Sequence, residues 1–274
     1  MKSLATLLAF VAVASADRVV TVYNACPFTI WWAWGEYHAY HFQVDLTKYS
    51  EMFTDPQSPG GPPNYVTGWE AAKYTAVTFN VPERWNGRIW GRRNCNFANG
   101  NTDPNTSCLD GGCNGGLRCA LNGGTGVPPA TVAEFNLHDA AGLDWYDVSL
   151  VDGYNLPMRI STDVGCPAPD CPVDLGPNCP TELKGPFDSV GFPVGCKTAC
   201  TVDSLAGHNA HNPNCCTNEY NTPATCPPSG VRHYDYFKRN CPNSYAYAFD
   251  EGSGTALWTC ASSRNAHYTI TFCP

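Results

Sequence analysis

From residue 18 onward, β-branched and aromatic residues gather in short runs with strand character: 18–23, 28–34, 76–81, 87–90, 131–137, 145–151 and 267–272. Clusters of glycine, proline, asparagine and aspartate separate them. That pattern predicts a mainly β fold, an antiparallel sandwich or barrel rather than β-α-β units. Within 131–137, Val132, Glu134 and Asn136 alternate with Ala133, Phe135 and Leu137, so Glu134 leaves the apolar face while staying on a strand. Asp147 lies on the next run, and Asp152-Gly153 reads as a turn at its exit.

Between Cys166 and Cys226 the periodicity fades and prolines accumulate. Short helices are predicted over 196–205 and 231–239 in an otherwise loop-rich lobe, about 166–241, attached to a single domain over 17–274. Residues 58–64 read as a loop insertion. The first residues have a different logic. Lys2, the apolar stretch Leu4 to Val13 and the small residues Ala14-Ser15-Ala16 make a secretory signal peptide over 1–16. No later segment reaches about 18 consecutive apolar residues, and the chain stops one residue after Cys273, so neither a membrane span nor a lipid anchor is expected. A secreted, extracellular or wall-associated monomer is.

The 16 cysteines, even in number, suit an oxidising compartment and a disulfide framework. Cys26 and Cys273, near the two ends, suggest a bridge between the termini. Adjacent Cys215 and Cys216 argue against zinc knuckles. The histidine pairs His38/His41 and His208/His211 lack free acid or thiol partners and read as solvated loop residues. No metal and no cofactor is expected. The net charge of −8 disfavours nucleic acid and anionic lipid as partners. Gly123 to Gly126 lacks the strand-turn-helix setting of a phosphate loop. Asn105-Thr106-Ser107 is a candidate glycosylation sequon at Asn105.

Several motifs carry a resemblance. They are Arg88-Ile89-Trp90-Gly91-Arg92 leading to Asn94-Cys95-Asn96-Phe97; Ala133-Glu134-Phe135; Tyr146 to Met158; Ala199-Cys200-Thr201; Cys215-Cys216-Thr217; Phe237 to Pro242; and the ending Thr271 to Pro274. In order and spacing the chain resembles thaumatin-like proteins, the pathogenesis-related group 5 family, over nearly all of 17–274. The leader and the style of the sequence suggest a fungal member. The resemblance implies a flattened β-sandwich flanked by two disulfide-rich lobes. It also implies the pairs Cys26–Cys273, Cys95–Cys108, Cys113–Cys119, Cys166–Cys260, Cys171–Cys241, Cys179–Cys196, Cys200–Cys215 and Cys216–Cys226. Two departures stand out. Where the family usually has Cys-x-Thr-Gly-Asp-Cys, residues 108–113 read Cys-Leu-Asp-Gly-Gly-Cys. The segment 36–75 is longer and more aromatic than in the plant members.

The resemblance further implies a cleft lined by one arginine and four acids, here Arg88, Glu134, Asp147, Asp152 and Asp250. Singly, each acid reads as a solvated strand or turn carboxylate; the five together argue for a site. Glycoside cleavage needs one protonated and one ionised carboxyl group. The expectation is Glu134 as general acid and Asp147 as base or nucleophile. Arg88 would hold a neighbouring acid ionised, Asp152 and Asp250 would bind hydroxyls, and Tyr154 and Phe249 would serve as stacking platforms. The function implied is a weak endo-β-1,3-glucanase acting on β-1,3-glucan or a related wall polysaccharide. The alternatives are a non-catalytic β-glucan-binding antifungal or wall-remodelling protein and a glycosidase inhibitor.

Overall fold

Alternation along Arg18–Asn24 turns Val20, Val22 and two polar ends, Arg18 and Asn24, to one buried face; this is β1. The computed structural model describes residues 17–36, 60–121 and 126–274. The expected leader, His38 and His41, much of the 36–75 segment and most of the 123–126 turn lie outside them. Among the described residues the strands that follow are β2 (Ile30–Glu36), β3 (Gly68–Ala71), β4 (Thr75–Val81), β5 (Asn86–Arg92), β6 (Val132–Asn136), β7 (Leu143–Ser149), β8 (Met158–Thr162), β9 (Asp170–Cys171), β10 (Trp258–Ala261) and β11 (Tyr268–Phe272). Among the described residues the α-helices are α1 (Ala199–Leu205) and α2 (Tyr234–Asn240).

The strands form two sheets, ordered β4-β1-β11-β8-β9 and β10-β7-β6-β5-β2-β3. Pairing is antiparallel except between β1 and β11, which run parallel. The expected antiparallel β-sandwich is thus present, and in its one parallel pair the first and last strands lie side by side, joined by nearly the whole chain as their crossover. Val20, Val22, Ile160, Tyr268, Ile270 and Phe272 from one sheet meet Trp32, Ile89, Ala133, Phe135, Tyr146 and Val148 from the other in one buried core.

The core holds a charge. Arg18 and Asp144 are both fully buried, with Nη2 donating to Oδ1 at 3.3 Å. Asp144 also accepts from Ser262 Oγ at 2.7 Å, His138 N at 3.0 Å and Tyr268 Oη at 2.8 Å. Removing the carboxylate strands a guanidinium and two hydroxyls. Asp144→Ala is therefore expected to lower unfolding free energy by about 3–5 kcal/mol, read from urea midpoints with disulfides intact and an unchanged slope.

All sixteen cysteines are joined in eight disulfides: 26–273, 95–108, 113–119, 166–260, 171–241, 179–196, 200–215 and 216–226. Two of them staple the 93–130 loops over the outer face of the second sheet, where Ala33, Trp90, Cys113, Cys119, Ala130 and Val132 form a second buried cluster. Arg92 nails that loop down, donating to Gly116 O at 2.6 Å, Leu117 O at 2.8 Å and Trp32 O at 2.8 Å. The departure at 108–113 has a steric reason. A Cβ at Gly112 would sit 2.0 Å from Pro104 O, so this loop has no room for the family's aspartate. Asp110 is the loop's acid. It is buried, accepts from Arg93 N at 3.0 Å and Asn155 Nδ2 at 2.8 Å, and burial pushes its carboxyl up to about 7.

Candidate functional site

On the outer face of the second sheet the side chains stand in registered rows. Trp90 pairs with Val132, and one step along Arg88 pairs with Glu134 and Glu134 with Asp147. Directly opposed residues share a face, so β5, β6 and β7 bring a cation and two acids into one line. The inward neighbours Ile89, Ala133, Phe135, Tyr146 and Val148 anchor that line to the core.

Arg88 joins two of the other expected residues. Its Nη2 donates to Glu134 Oε1 at 2.5 Å and its Nη1 to Asp152 Oδ2 at 3.2 Å. Asp152 is aimed by its turn: Gly153 N donates to Leu150 O at 2.9 Å, and Ala130 N to Asp152 O at 3.1 Å. Gly153 has φ 90°, and a Cβ there would meet Pro129 Cβ at 2.8 Å and Cys196 O at 2.9 Å. Only glycine fits that turn.

Asp147 differs from its neighbours. It is 1 % exposed, and its Oδ1 has no hydrogen-bond partner among the described residues. Burial pushes its carboxyl well above the usual range; the charges of Glu134 and Glu251 push the same way and Arg88 opposes them. Glu251 was not singled out in the sequence. Its charge reaches the Tyr245 hydroxyl, which donates to Ala248 O at 3.4 Å and whose titration is driven up by burial and then by Glu251. Tyr245 lies along β7, with Tyr245 N donating to Val148 O at 2.9 Å and Leu150 N to Tyr245 O at 2.8 Å. The one available signal was the Asp250-Glu251 pair, which does not reveal which acid turns toward the row.

Asp250 faces elsewhere. It is 1 % exposed and accepts from Tyr234 Oη at 2.8 Å, Lys238 Nζ at 2.9 Å and Ala246 N at 2.9 Å. This clamps α2 to the chain after it instead of offering the carboxylate to hydroxyls. The two aromatic platforms are corrected on the same ground. Tyr154 is buried among core residues, with its hydroxyl on Asp174 Oδ1 at 3.3 Å. Phe249 packs against Tyr247 and the Cys216–Cys226 bridge at 4 % exposure. Neither shows a free ring face. Asn105 is exposed in a turn where its N donates to Asp103 Oδ1 at 2.9 Å.

The Thaumatin family model matches residues 24–274. The chain belongs to the thaumatin family. Thaumatin-like relatives are similar over almost the whole length. A pathogenesis-related thaumatin-like protein 3.5 of Cryptomeria japonica is 35 % identical over 280 residues, covering 100 % of this chain and 97 % of its own. A Prunus avium protein named glucan endo-1,3-beta-glucosidase is 35 % identical, covering 98 % and 95 %. Among solved structures, a laminaripentaose-producing β-1,3-glucanase in complex with laminaritetraose shares the fold at TM-score 0.56 and 12 % identity, covering 94 % of this chain and 99 % of that one. No helix among the described residues of this thaumatin-family chain is long and apolar enough to cross a membrane.

Proposed function

We propose that this chain is a secreted protein that binds β-1,3-glucan and cleaves its internal bonds with modest turnover. The observation that carries the reading is the registered row Arg88–Glu134–Asp147, tied to Asp152. The name of the Prunus avium relative supports the substrate class. The roles of the two central acids are exchanged relative to the sequence expectation. Arg88 sits on Glu134, which suits the carboxylate that attacks the anomeric carbon. Asp147, buried among like charges, suits the acid that protonates the leaving oxygen.

One observation favours a second reading. At 1 % exposure Asp147 is hard for a substrate to reach, which suits a glucan-binding protein without turnover. Purified protein incubated with laminarin separates the two. Release of reducing ends is the expected result. Binding with no release makes the chain a binder, and absence of both sinks the glucan reading.

A further inference from the structure

Asn105-Thr106-Ser107 is the chain's one Asn-x-Ser/Thr sequon, and the fold treats its two ends oppositely. Asn105 and Thr106 are exposed at the apex of a turn that Asp103 ties together. Asp103 Oδ1 accepts from Asn105 N at 2.9 Å, Asp103 Oδ2 from Thr106 Oγ1 at 3.1 Å and Asp103 O from Ser107 N at 2.9 Å. Ser107 is fully buried, and its hydroxyl has no hydrogen-bond partner among the described residues. Asn96 N donates to Ser107 O at 2.7 Å, and the Cys95–Cys108 bridge closes the segment. A buried hydroxyl that bonds nothing is a cost that alanine would not carry. The packing of this loop does not ask for serine at 107. The sequon does, because its third residue must present a hydroxyl for the asparagine to be an acceptor.

We propose that Asn105 carries an N-linked oligosaccharide, attached while the 95–108 loop is still open and sealed in place when Cys95 pairs with Cys108. In the folded chain the Ser107 hydroxyl is out of an enzyme's reach, so transfer precedes folding of this turn. The rates allow that order. Chains emerge at about 5–20 residues per second, whereas disulfides take seconds or longer to form, which leaves the sequon open after Ser107 and Cys108 appear. The transfer joins Asn105 Nδ2 to the anomeric carbon of an oligosaccharide carried on a lipid diphosphate. The carbon–oxygen bond to the diphosphate breaks, the leaving diphosphate takes the bonding electron pair, and the amide gives up one proton. The N–H that remains on Nδ2 can keep the contact to Asp103 Oδ1, 3.4 Å away. The product is bulky and polar and needs a surface anchor, which the turn apex supplies. The inference rests on the chain being secreted and is independent of the glucan reading.

The full chain is expressed in a secreting yeast beside Ser107→Ala, Asn105→Gln and the paired Cys95→Ala/Cys108→Ala, and occupancy of Asn105 is measured by peptide mass spectrometry on medium and total cell extract. The expected result is a glycan on Asn105 of wild type, none on Ser107→Ala, and occupancy in the cysteine pair at least equal to wild type, readable in the extract even where that variant fails to leave the cell. Ser107→Ala should also melt no lower than Asn105→Gln, since both lack the glycan and only the first sheds the buried hydroxyl. Secreted wild type bare at Asn105 overturns the inference and leaves secretion intact. Lower occupancy in the cysteine pair overturns the order of events. A Ser107→Ala protein that melts well below Asn105→Gln gives the serine a structural task and overturns the argument from its burial. A chain that never enters the secretory route overturns the secreted reading and this one together.

Discussion

Asp147→Asn is expected to lower laminarin hydrolysis by about 10²–10⁴-fold, the usual contribution of a positioned proton donor. The asparagine keeps the shape of the buried side chain and supplies no proton. Glu134→Gln is expected to lose a similar factor by a different route, since its amide cannot attack the anomeric carbon and leaves Arg88 facing a neutral group. The two acids work as a unit, so the double variant should be little worse than either single one. In wild type, kcat/KM should fall on the alkaline side of the raised Asp147 titration, because the donor must hold its proton. Stability has the same direction. A carboxyl whose folded value lies above its unfolded value contributes stability fully below the unfolded value and loses it as pH rises through the folded one. Wild type should therefore lose more stability than Asp147→Asn between acid and mildly alkaline pH. An Asp147→Asn protein with wild-type turnover removes Asp147 from the chemistry; a flat stability difference across pH removes its raised titration.

The legibility of the fold and site divides along physical lines. Strands that alternate over seven residues, such as β1 and β4, show in the sequence because one face is buried and the other is not. The expected runs at 87–90 and 131–137 fall on β5 and β6. Strands β3, β9 and β10 have four residues or fewer, too short for a period to appear, and β8 follows directly on Pro157. The predicted helices shrink to α1 and α2, both seven residues, since Thr198 caps the first through Thr201 N at 3.1 Å. For the site, Glu134's outward direction follows from alternation, but its registry with Arg88 and Asp147 is a property of three strands at once. Asp250 against Glu251 illustrates the remainder. Neighbouring acids in a 3-10 turn point in different directions, and only the partners Lys238 and Tyr234 on α2 decide which one is taken inward.

Reduction of the eight bridges is the other large effect. Full reduction is expected to unfold the chain at room temperature. Each bridge contributes about 2–4 kcal/mol by restricting the unfolded chain, and eight such contributions exceed the roughly 5–15 kcal/mol of net stability typical of a domain. The individual bridges should rank by the loop each closes. Cys26–Cys273 joins residues 247 apart, whereas Cys113–Cys119 joins residues 6 apart. Loop-closure entropy grows with the logarithm of loop length. It assigns about 5 kcal/mol to the first and about 2 kcal/mol to the second, and the shortcut through Cys166–Cys260 shortens the long loop too little to change the order. The terminal bridge also holds together β1 and β11, the parallel pair for which no local hairpin brings the strands into register. The paired variant Cys26→Ala/Cys273→Ala should consequently melt at lower temperature than Cys113→Ala/Cys119→Ala. The opposite order would mean that packing of Cys113 and Cys119 beneath the 93–130 loops, rather than constraint of the unfolded chain, governs what each bridge contributes.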